Sequence, residues 1–485
     1  MSGPLQSAAR GGVLALFLVA LAGFMALLLW LGAQGFRSTE ALDLWGRALL
    51  AAGGQTPLRE VVTAYPPAPI LVMAGAAGLA PMLGAAAPWF PVALLAATLV
   101  LAWHATLRDA GLGRGARLLA VLLLALNPLF LRALAGGVEP MLLAWGVWML
   151  AYGMFNMRLK SRVNDIILVA AALVLLGASG PFGLVIVLAA LPFLALIVLP
   201  DLLVQSVSGS YLVILFPLLF SGLGFLFVNW IFTGDPLHFL VAPQGWPPAA
   251  PAGLRQAGLA LVGVVLMSPL SIWAVLRARR LAGLQSGAVA ALGMPVAVIG
   301  LGWATGTLPG PALAASLGCG LAAASAAVVA SFRRLQPVVM PALLFTLVAG
   351  AAIVFADRSA ATLRWRAAAQ GHKVAAPAPE MAALGRALRG KHDILFSAAD
   401  APAAVAERGS AAGIVGQHAE AFQLAAQTHR LTARVLVVRS AQSVRGADGL
   451  GRAFPRLFTA GAPGYRLIYD GPDWRVYQSD LEARP

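Results

Sequence analysis

Apolar residues in this chain come in long unbroken runs. Twelve of them precede residue 357, at approximately 12–34, 68–83, 88–105, 116–134, 138–156, 165–182, 183–200, 210–231, 257–276, 286–304, 310–331 and 337–356. Most approach or exceed the roughly 20 residues that a helix needs to cross the hydrocarbon core of a bilayer. Inside that core every backbone N–H and C=O has to bond within the protein, so each run predicts a helix. The run at 68–83 is the weak one: it is short, rich in Ala and Gly, and broken by Pro81. We read it as an outer juxtamembrane or re-entrant helix, which leaves about eleven spans. The first run, preceded by Arg10, is too long for the apolar region of a signal peptide and reads as a retained span.

The polar residues between the runs set a topology. Basic clusters fall at Arg108, Arg114 and Arg117, at Arg158, Lys160 and Arg162, at Arg277, Arg279 and Arg280, and at Arg333 and Arg334. Short loops rich in Lys and Arg stay on the cytoplasmic side. With the N-terminus inside, two crossings bring the Arg108 loop inside, and an even number separates each cluster from the next. The outer face then collects residues 35–88, the loop at 233–253 and everything beyond 356. Only eight acids precede residue 357. Glu40, Asp43, Glu60, Glu139 and Asp235 fall at or near the outer face in this arrangement, and Asp109, Asp165 and Asp201 fall inside.

Composition agrees with a multi-pass membrane protein: 60% of the 485 residues are hydrophobic and only 11% are charged, where a soluble domain runs near a quarter. The net charge of +15 would suggest a nucleic-acid partner in a soluble protein. Here 17 of the 34 Lys and Arg lie beyond residue 356, and 12 of the others sit in the inner segments, so the excess is a topology signal and no nucleic acid is expected. The single Cys319 excludes an intrachain disulfide, and the six His show no HxxxH or HxH spacing that would mark a metal site.

Beyond residue 356 the pattern changes to that of a small soluble α/β module, with 28 charged residues among 129. "PEMAALGRALRG" reads as a helix leading to the strand "DILFS", and "AEAFQLAAQTHR" as a helix leading to the strand "ARVLVVRS". "YRLIYDGPDWRVYQ" reads as a hairpin. The expected molecule is thus an α-helical polytopic membrane protein, 1–356, with outer juxtamembrane helices in a first outer loop at 35–88, followed by an α/β domain at 357–485.

Candidate chemistry starts at "STEALDLWGRALLAAGG" (38–54). As a helix it puts Glu40 and Asp43 on one face, with Arg47 one turn after Asp43, and Ser38 or Thr39 at its cap. The plain reading is a capped, solvated surface helix. The functional reading is a general base at the membrane surface. Glu139, followed by Pro140, reads in the plain sense as a helix-start carboxylate favoured by the dipole.

A first span, an outer loop with acids on a short helix, "YPPAPI" opening the next apolar segment, "GARLLAVLLLALNPLFLRALAGGVEPMLLAWGVWMLA" (115–151) and "NWIFTGDPLHFL" (229–240) occur here in an order that resembles the GT-C superfamily of membrane glycosyltransferases. Bacterial lipid A aminoarabinose transferases and protein O-mannosyltransferase-like enzymes are the members it looks most like. The likeness implies a polyprenyl-phosphate-linked sugar as donor and a lipid or glycan acceptor, with inversion in a single displacement. It assigns Asp43 as the acid that activates the acceptor, with Glu40 as its rival because the register is open, and Glu139 as a second acid; many relatives carry an adjacent acidic pair there, from which the separated Glu40 and Asp43 depart. A lipid phosphate needs cations near the outer interface, and Arg47, Arg59, Arg132, Arg255 and His238 are the candidates, although each also suits an interface anchor. Trp89, Trp230 and Trp246 suit either a sugar site or an interfacial belt, and Gly234–Pro236 reads as a turn. The resemblance leaves open a divalent metal ion between acid and phosphate. It implies a bacterial inner membrane, with the C-terminal domain periplasmic. Two readings from other classes stand beside it: a secondary transporter, which calls for ionisable groups at mid-bilayer and broken helices in matching halves, and an envelope-glycan assembly protein without catalysis.

Overall fold

A computed structural model of the chain describes residues 4–160, 162–197, 207–241, 253–277, 282–444 and 446–480. Its helices begin with α1 (Pro4–Ala33), α2 (Thr39–Ala52), α3 (Leu58–Val62), α4 (Pro67–Gly78), α5 (Ala80–Leu83) and α6 (Phe90–Asp109). They continue with α7 (Arg114–Ala125), α8 (Pro128–Gly136), α9 (Val138–Lys160), α10 (Val163–Ser179), α11 (Pro181–Ile197), α12 (Val207–Thr233) and α13 (His238–Val241). The remaining membrane-region helices are α14 (Leu254–Leu266), α15 (Pro269–Arg277), α16 (Ala282–Ala304), α17 (Pro311–Ala330) and α18 (Gln336–Ala356). Among the described residues seven helices are long and apolar enough to cross a membrane, or up to ten if each bent pair is one span. The run at 68–83 is one of those pairs, α4 and the short helices after it, bent by 63°.

Two runs expected as single spans are broken instead. The chain bends by 55° between α7 and α8 and by 67° between α14 and α15. Each break precedes a proline, Pro128 and Pro269, which cannot donate to the turn before it. The two breaks meet. Asn127, fully buried, accepts from the Leu129 amide at 3.0 Å and donates to the Thr346 carbonyl at 2.9 Å, and its amide nitrogen lies 3.9 Å from the Met267 sulfur. The side chain thus replaces bonds that the broken backbone loses.

At the centre lies α17, whose Ala, Gly and Ser residues are almost all buried. Lipid offers no hydrophobic drive between helices, so small residues that let backbones approach supply the packing. A Cβ on Gly320 would sit 3.0 Å from the Trp148 amide nitrogen, and one on Gly318 only 2.4 Å from the Met267 Cβ.

The helices order the charges by end. Arg108, Arg114, Arg117, Arg158, Arg162, Arg333 and Arg334 gather at one end of the bundle, where Arg158 bonds Ser286 and Gln336 reaches the Gly111 carbonyl. The opposite end carries α2, α3, the start of α9 and the soluble domain. Asp201 lies outside the described residues.

The C-terminal part opens with α19 (Ala360–Ala369) and α20 (Pro379–Ala387), then β1 (Ile394–Phe396), α21 (Pro402–Arg408), β2 (Ile414–Val415), α22 (Glu420–Thr428) and β3 (Val435–Arg439). It closes with α23 (Gly449–Ala453), α24 (Leu457–Ala460), β4 (Tyr465–Asp470) and β5 (Trp474–Ser479). The sheet order is β2-β1-β3-β5-β4, parallel across β2, β1 and β3 and antiparallel from β3 to β5 and β4. Strand periodicity sorts the side chains onto two faces. Ile394, Phe396, Val435, Val437 and Val476 pack toward α20 and α21, and Leu395, Leu436, Val438 and Tyr477 pack toward α22, α23 and α24.

Replacing Gly320 by Ala is expected to destabilise the detergent-solubilised protein by about 1–3 kcal/mol, because backbone on the facing helix cannot yield. Gly222 has open space around its Cβ position, so Gly222→Ala is expected to leave the thermal midpoint unchanged or higher. Equal midpoints for wild type and Gly320→Ala would disprove tight packing at α17.

Candidate functional site

The helix α2 is capped by Ser38, whose hydroxyl accepts from the Ala41 amide at 3.0 Å and donates to the Gly136 carbonyl at 2.9 Å. That second bond ties the start of α2 to the turn between α8 and α9. Gly137 occupies the turn with φ of 113°, and its missing side chain makes room for Ala41, 3.2 Å from where a Cβ would stand. The expectation of a solvated surface helix is corrected here. Leu42, Trp45, Gly46, Ala48, Leu49 and Leu50 are buried, because α2 is held between the bundle and α21 of the soluble domain. Gly46 makes this possible: a Cβ there would stand 1.8 Å from the Pro402 carbonyl oxygen.

Further bonds fasten the same seam. Arg37 pairs with Glu407 at 3.0 Å, the Gly416 amide donates to Gln55 Oε1 at 3.1 Å, His418 faces Glu60 at 2.8 Å, and the Val374 amide donates to the Gln34 carbonyl at 2.9 Å. The end of α21 is fixed in turn by Arg408, which donates to the carbonyls of Leu388, Lys391, Ser410 and Ala412.

At the site itself Glu40, on the exposed first turn of α2, lies within electrostatic reach of both Arg132 and Glu139. Glu139 is half-buried at the start of α9. Gly180, between α10 and α11, leaves space for its carboxylate, since a Cβ there would meet Glu139 Oε1. Arg132, 5% exposed, donates from Nε to Thr362 Oγ1 at 3.3 Å, while its Nη1 is buried without a partner. Thr362 donates to Asp357, whose carboxylate also accepts from the Ala312 amide and so caps α17. Phe36 lies between two cations, with Arg364 at 5.7 Å and Arg132 at 6.0 Å from its ring centre.

Tyr65 closes another side. Its hydroxyl donates to the Gly177 carbonyl at 3.1 Å, and its ring packs against Phe225 and Phe239, at 6.2 and 5.6 Å. Burial first, then the negative charge of Glu139, pushes its phenol pKa up, so the hydroxyl remains a donor at neutral pH.

Comparison with protein-family models, curated proteins and solved structures gives no match for this chain.

Of the residues singled out from the sequence, Glu40, Glu139 and Arg132 come together. Asp43 and Arg47 follow Glu40 on α2, both half-buried. Arg59 is exposed on α3, and Arg255 is exposed in the first turn of α14. His238 is half-buried beside Phe239, on the helix that packs against Tyr65. Trp89 is buried against Gly32, Trp230 is exposed on α12, and Trp246 lies outside the described residues. Tyr65, Asp357, Thr362 and Arg364 were not singled out. The signal for Asp357 was a lone acid at the end of the last apolar run, and for Tyr65 the aromatic hydroxyl opening "YPPAPI". Among the described residues no three His, Cys, Asp or Glu side chains converge as metal ligands. The buried guanidinium of Arg132, its Nη1 unmet, suits an anion.

Gly46→Ala is expected to force α21 off α2, because the atom it meets is a backbone carbonyl. Limited proteolysis within 370–378 should then speed up several-fold relative to wild type, with the bundle still folded by thermal melt. Unchanged cleavage would disprove the docking contact.

Proposed function

We propose that this chain is a membrane glycosyltransferase that moves a sugar from a polyprenyl-phosphate donor to a lipid or glycan acceptor at the end of the bundle where the soluble domain sits. The observation that carries the reading is Arg132: a buried guanidinium whose Nη1 is unmet, within electrostatic reach of Glu40, which also acts on Glu139. An unsatisfied buried donor costs on the order of 1–3 kcal/mol or more, and a phosphate oxygen arriving at Nη1 would remove that cost. The resemblance in motif order supports the same reading, and the apolar helices around the site suit a lipid-linked donor. By that resemblance the membrane is a bacterial inner membrane and the site faces the periplasm.

In this reading a carboxylate on α2 takes the proton of an acceptor hydroxyl while the oxygen attacks the anomeric carbon. The bond from that carbon to the phosphate oxygen breaks, and the electron pair leaves with the polyprenyl phosphate, held by Arg132 with Arg364 nearby. Glu40 is the candidate base to test first, because it lies within electrostatic reach of both Arg132 and Glu139, and Asp43, one turn on, is its rival. Glu139 then orients the acceptor or the sugar hydroxyls.

One observation favours transport instead. The breaks at Asn127 and Ser268 face each other inside the bundle, as discontinuous helices do in many secondary transporters. The Asn127 side chain, however, spends its acceptor and its donor on Leu129 and Thr346.

Reconstituted protein should transfer radiolabelled sugar from one of a panel of polyprenyl-phosphate donors. Glu40→Gln is expected to lower turnover by about 10²-fold or more, and Arg132→Gln by a similar factor, with folding intact. A larger loss in Asp43→Asn than in Glu40→Gln would return the base to Asp43. No transfer with any donor would sink the enzyme reading, and substrate uptake into proteoliposomes would establish the transporter.

A further inference from the structure

The outward layer of the soluble domain holds an open groove of about 590 Å³, on the sheet face opposite to the one that docks on α2. Its size lies within the range of pockets that hold small organic ligands. The wall is built by His429, Phe454, Arg456 and Tyr465, with Leu431 and Pro463. The His429 ring meets Phe454 edge-on, 5.7 Å between centres, and Tyr465 is anchored by its hydroxyl, which donates to the Ala433 carbonyl at 2.7 Å. Both aromatic rings are half-buried, so each presents part of its surface to the groove.

The charge around this groove has one sign. Arg456 lines it, and Arg430 and Arg452 each adjoin a lining residue in sequence. All three are exposed, and among the described residues none of them makes an ion pair. The acids at its Tyr465 end are Asp393, which accepts from the Arg434 amide, and Asp480, whose amide bonds the Gly464 carbonyl. Three free guanidinium groups against two acids leave a net positive field.

We infer that this groove binds an acidic glycan, a chain of sugars bearing carboxylates or phosphates. Aromatic faces pack against the C–H faces of sugar rings, and guanidinium forks match carboxylate and phosphate oxygens. The groove is not part of the site at Arg132, which lies across the sheet and α21. The choice of a glycan over other polyanions rests on the transferase reading, while the binding itself requires no turnover. In that setting the groove holds a growing or recipient chain near the site where it is extended.

The test uses the full-length protein in nanodiscs, a hexamer of galacturonic acid, a neutral glucose hexamer of equal length and a hexaglutamate peptide, with binding followed by calorimetry and no donor present. The acidic hexasaccharide should bind saturably and the neutral one at least 10-fold more weakly. Arg456→Gln should weaken binding about 5-fold or more and Phe454→Ala likewise, whereas Arg334→Gln, at the far end of the bundle, should leave it unchanged. Arg456 is exposed, so its variant keeps the fold even where Phe454→Ala lowers stability. Hexaglutamate binding as tightly as the acidic sugar would replace the glycan by an acidic protein segment, and either no saturable binding or insensitivity to Arg456→Gln would overturn the site. Because no transfer is measured, loss of the transferase reading and loss of this groove give different results.

Discussion

The backbone contact between Gly46 and Pro402 sets how close the soluble domain can come to the membrane bundle, and the outer end of the molecule is arranged around it. With any side chain at position 46, α21 would stand off by more than an ångström, and the bonds from Arg37, Gln55 and Glu60 to the domain would lengthen together. Those bonds are mostly partly exposed and individually weak. Their value lies in number and in the shape that the glycine permits. Because α2 is clamped on both sides, the first turn that bears Glu40 is presented at a fixed place relative to the α8–α9 turn. A soluble domain that is remote in sequence thereby becomes part of the wall that positions a membrane-surface carboxylate.

Charge is distributed to suit that wall. The basic residues between helices gather at the far end, while Glu40, Glu60 and Glu139 lie at the end where the domain docks. Arg132 stands apart from the other cations at the acidic end, such as Arg37 and Arg59, in being buried there. Its surroundings offset only part of the cost of burial: Thr362 takes Nε, Phe36 covers one side, and Glu40 and Asp357 supply negative potential. Asp357 is itself occupied at the start of α17. A cation held in this way, with one N–H left over, is unstable in isolation and suited to a visiting anion.

The apolar runs made the helices legible, since their length and lack of charge leave one structure open to them in lipid. The strands "DILFS" and "ARVLVVRS" and the hairpin at 465–479 were legible by alternation and turn residues. The two breaks at Asn127 and Ser268 are not legible, because an X-Pro step inside an apolar run does not say whether a neighbour can re-bond the freed backbone; here the Asn127 side chain does so by accepting from the Leu129 amide. Burial of α2 was hidden for a similar reason. Its amphipathic pattern shows one apolar face, but Gly46 looks like a weak helix former until Pro402 is opposite it. The acids and Arg132 were found by type and position, whereas Tyr65, Thr362 and Arg364 owe their place to tertiary packing and leave little trace in the local sequence.

The broken helices bear on what the bundle can do. Two facing half-helix starts resemble the discontinuous helices of transporters, yet a transport site needs uncommitted backbone or side-chain groups around space for a substrate. At Asn127 the amide and the carbonyl are both engaged, and a Cβ on Gly350 would fall within 2.3 Å of Asn127 Oδ1. The interior is filled where alternating access would need room. The unmet nitrogen of Arg132 lies instead at the end of the bundle, within reach of Glu40 and Asp357. The proposed chemistry is therefore placed at this end of the bundle, where Arg132 is buried and Glu40 is exposed.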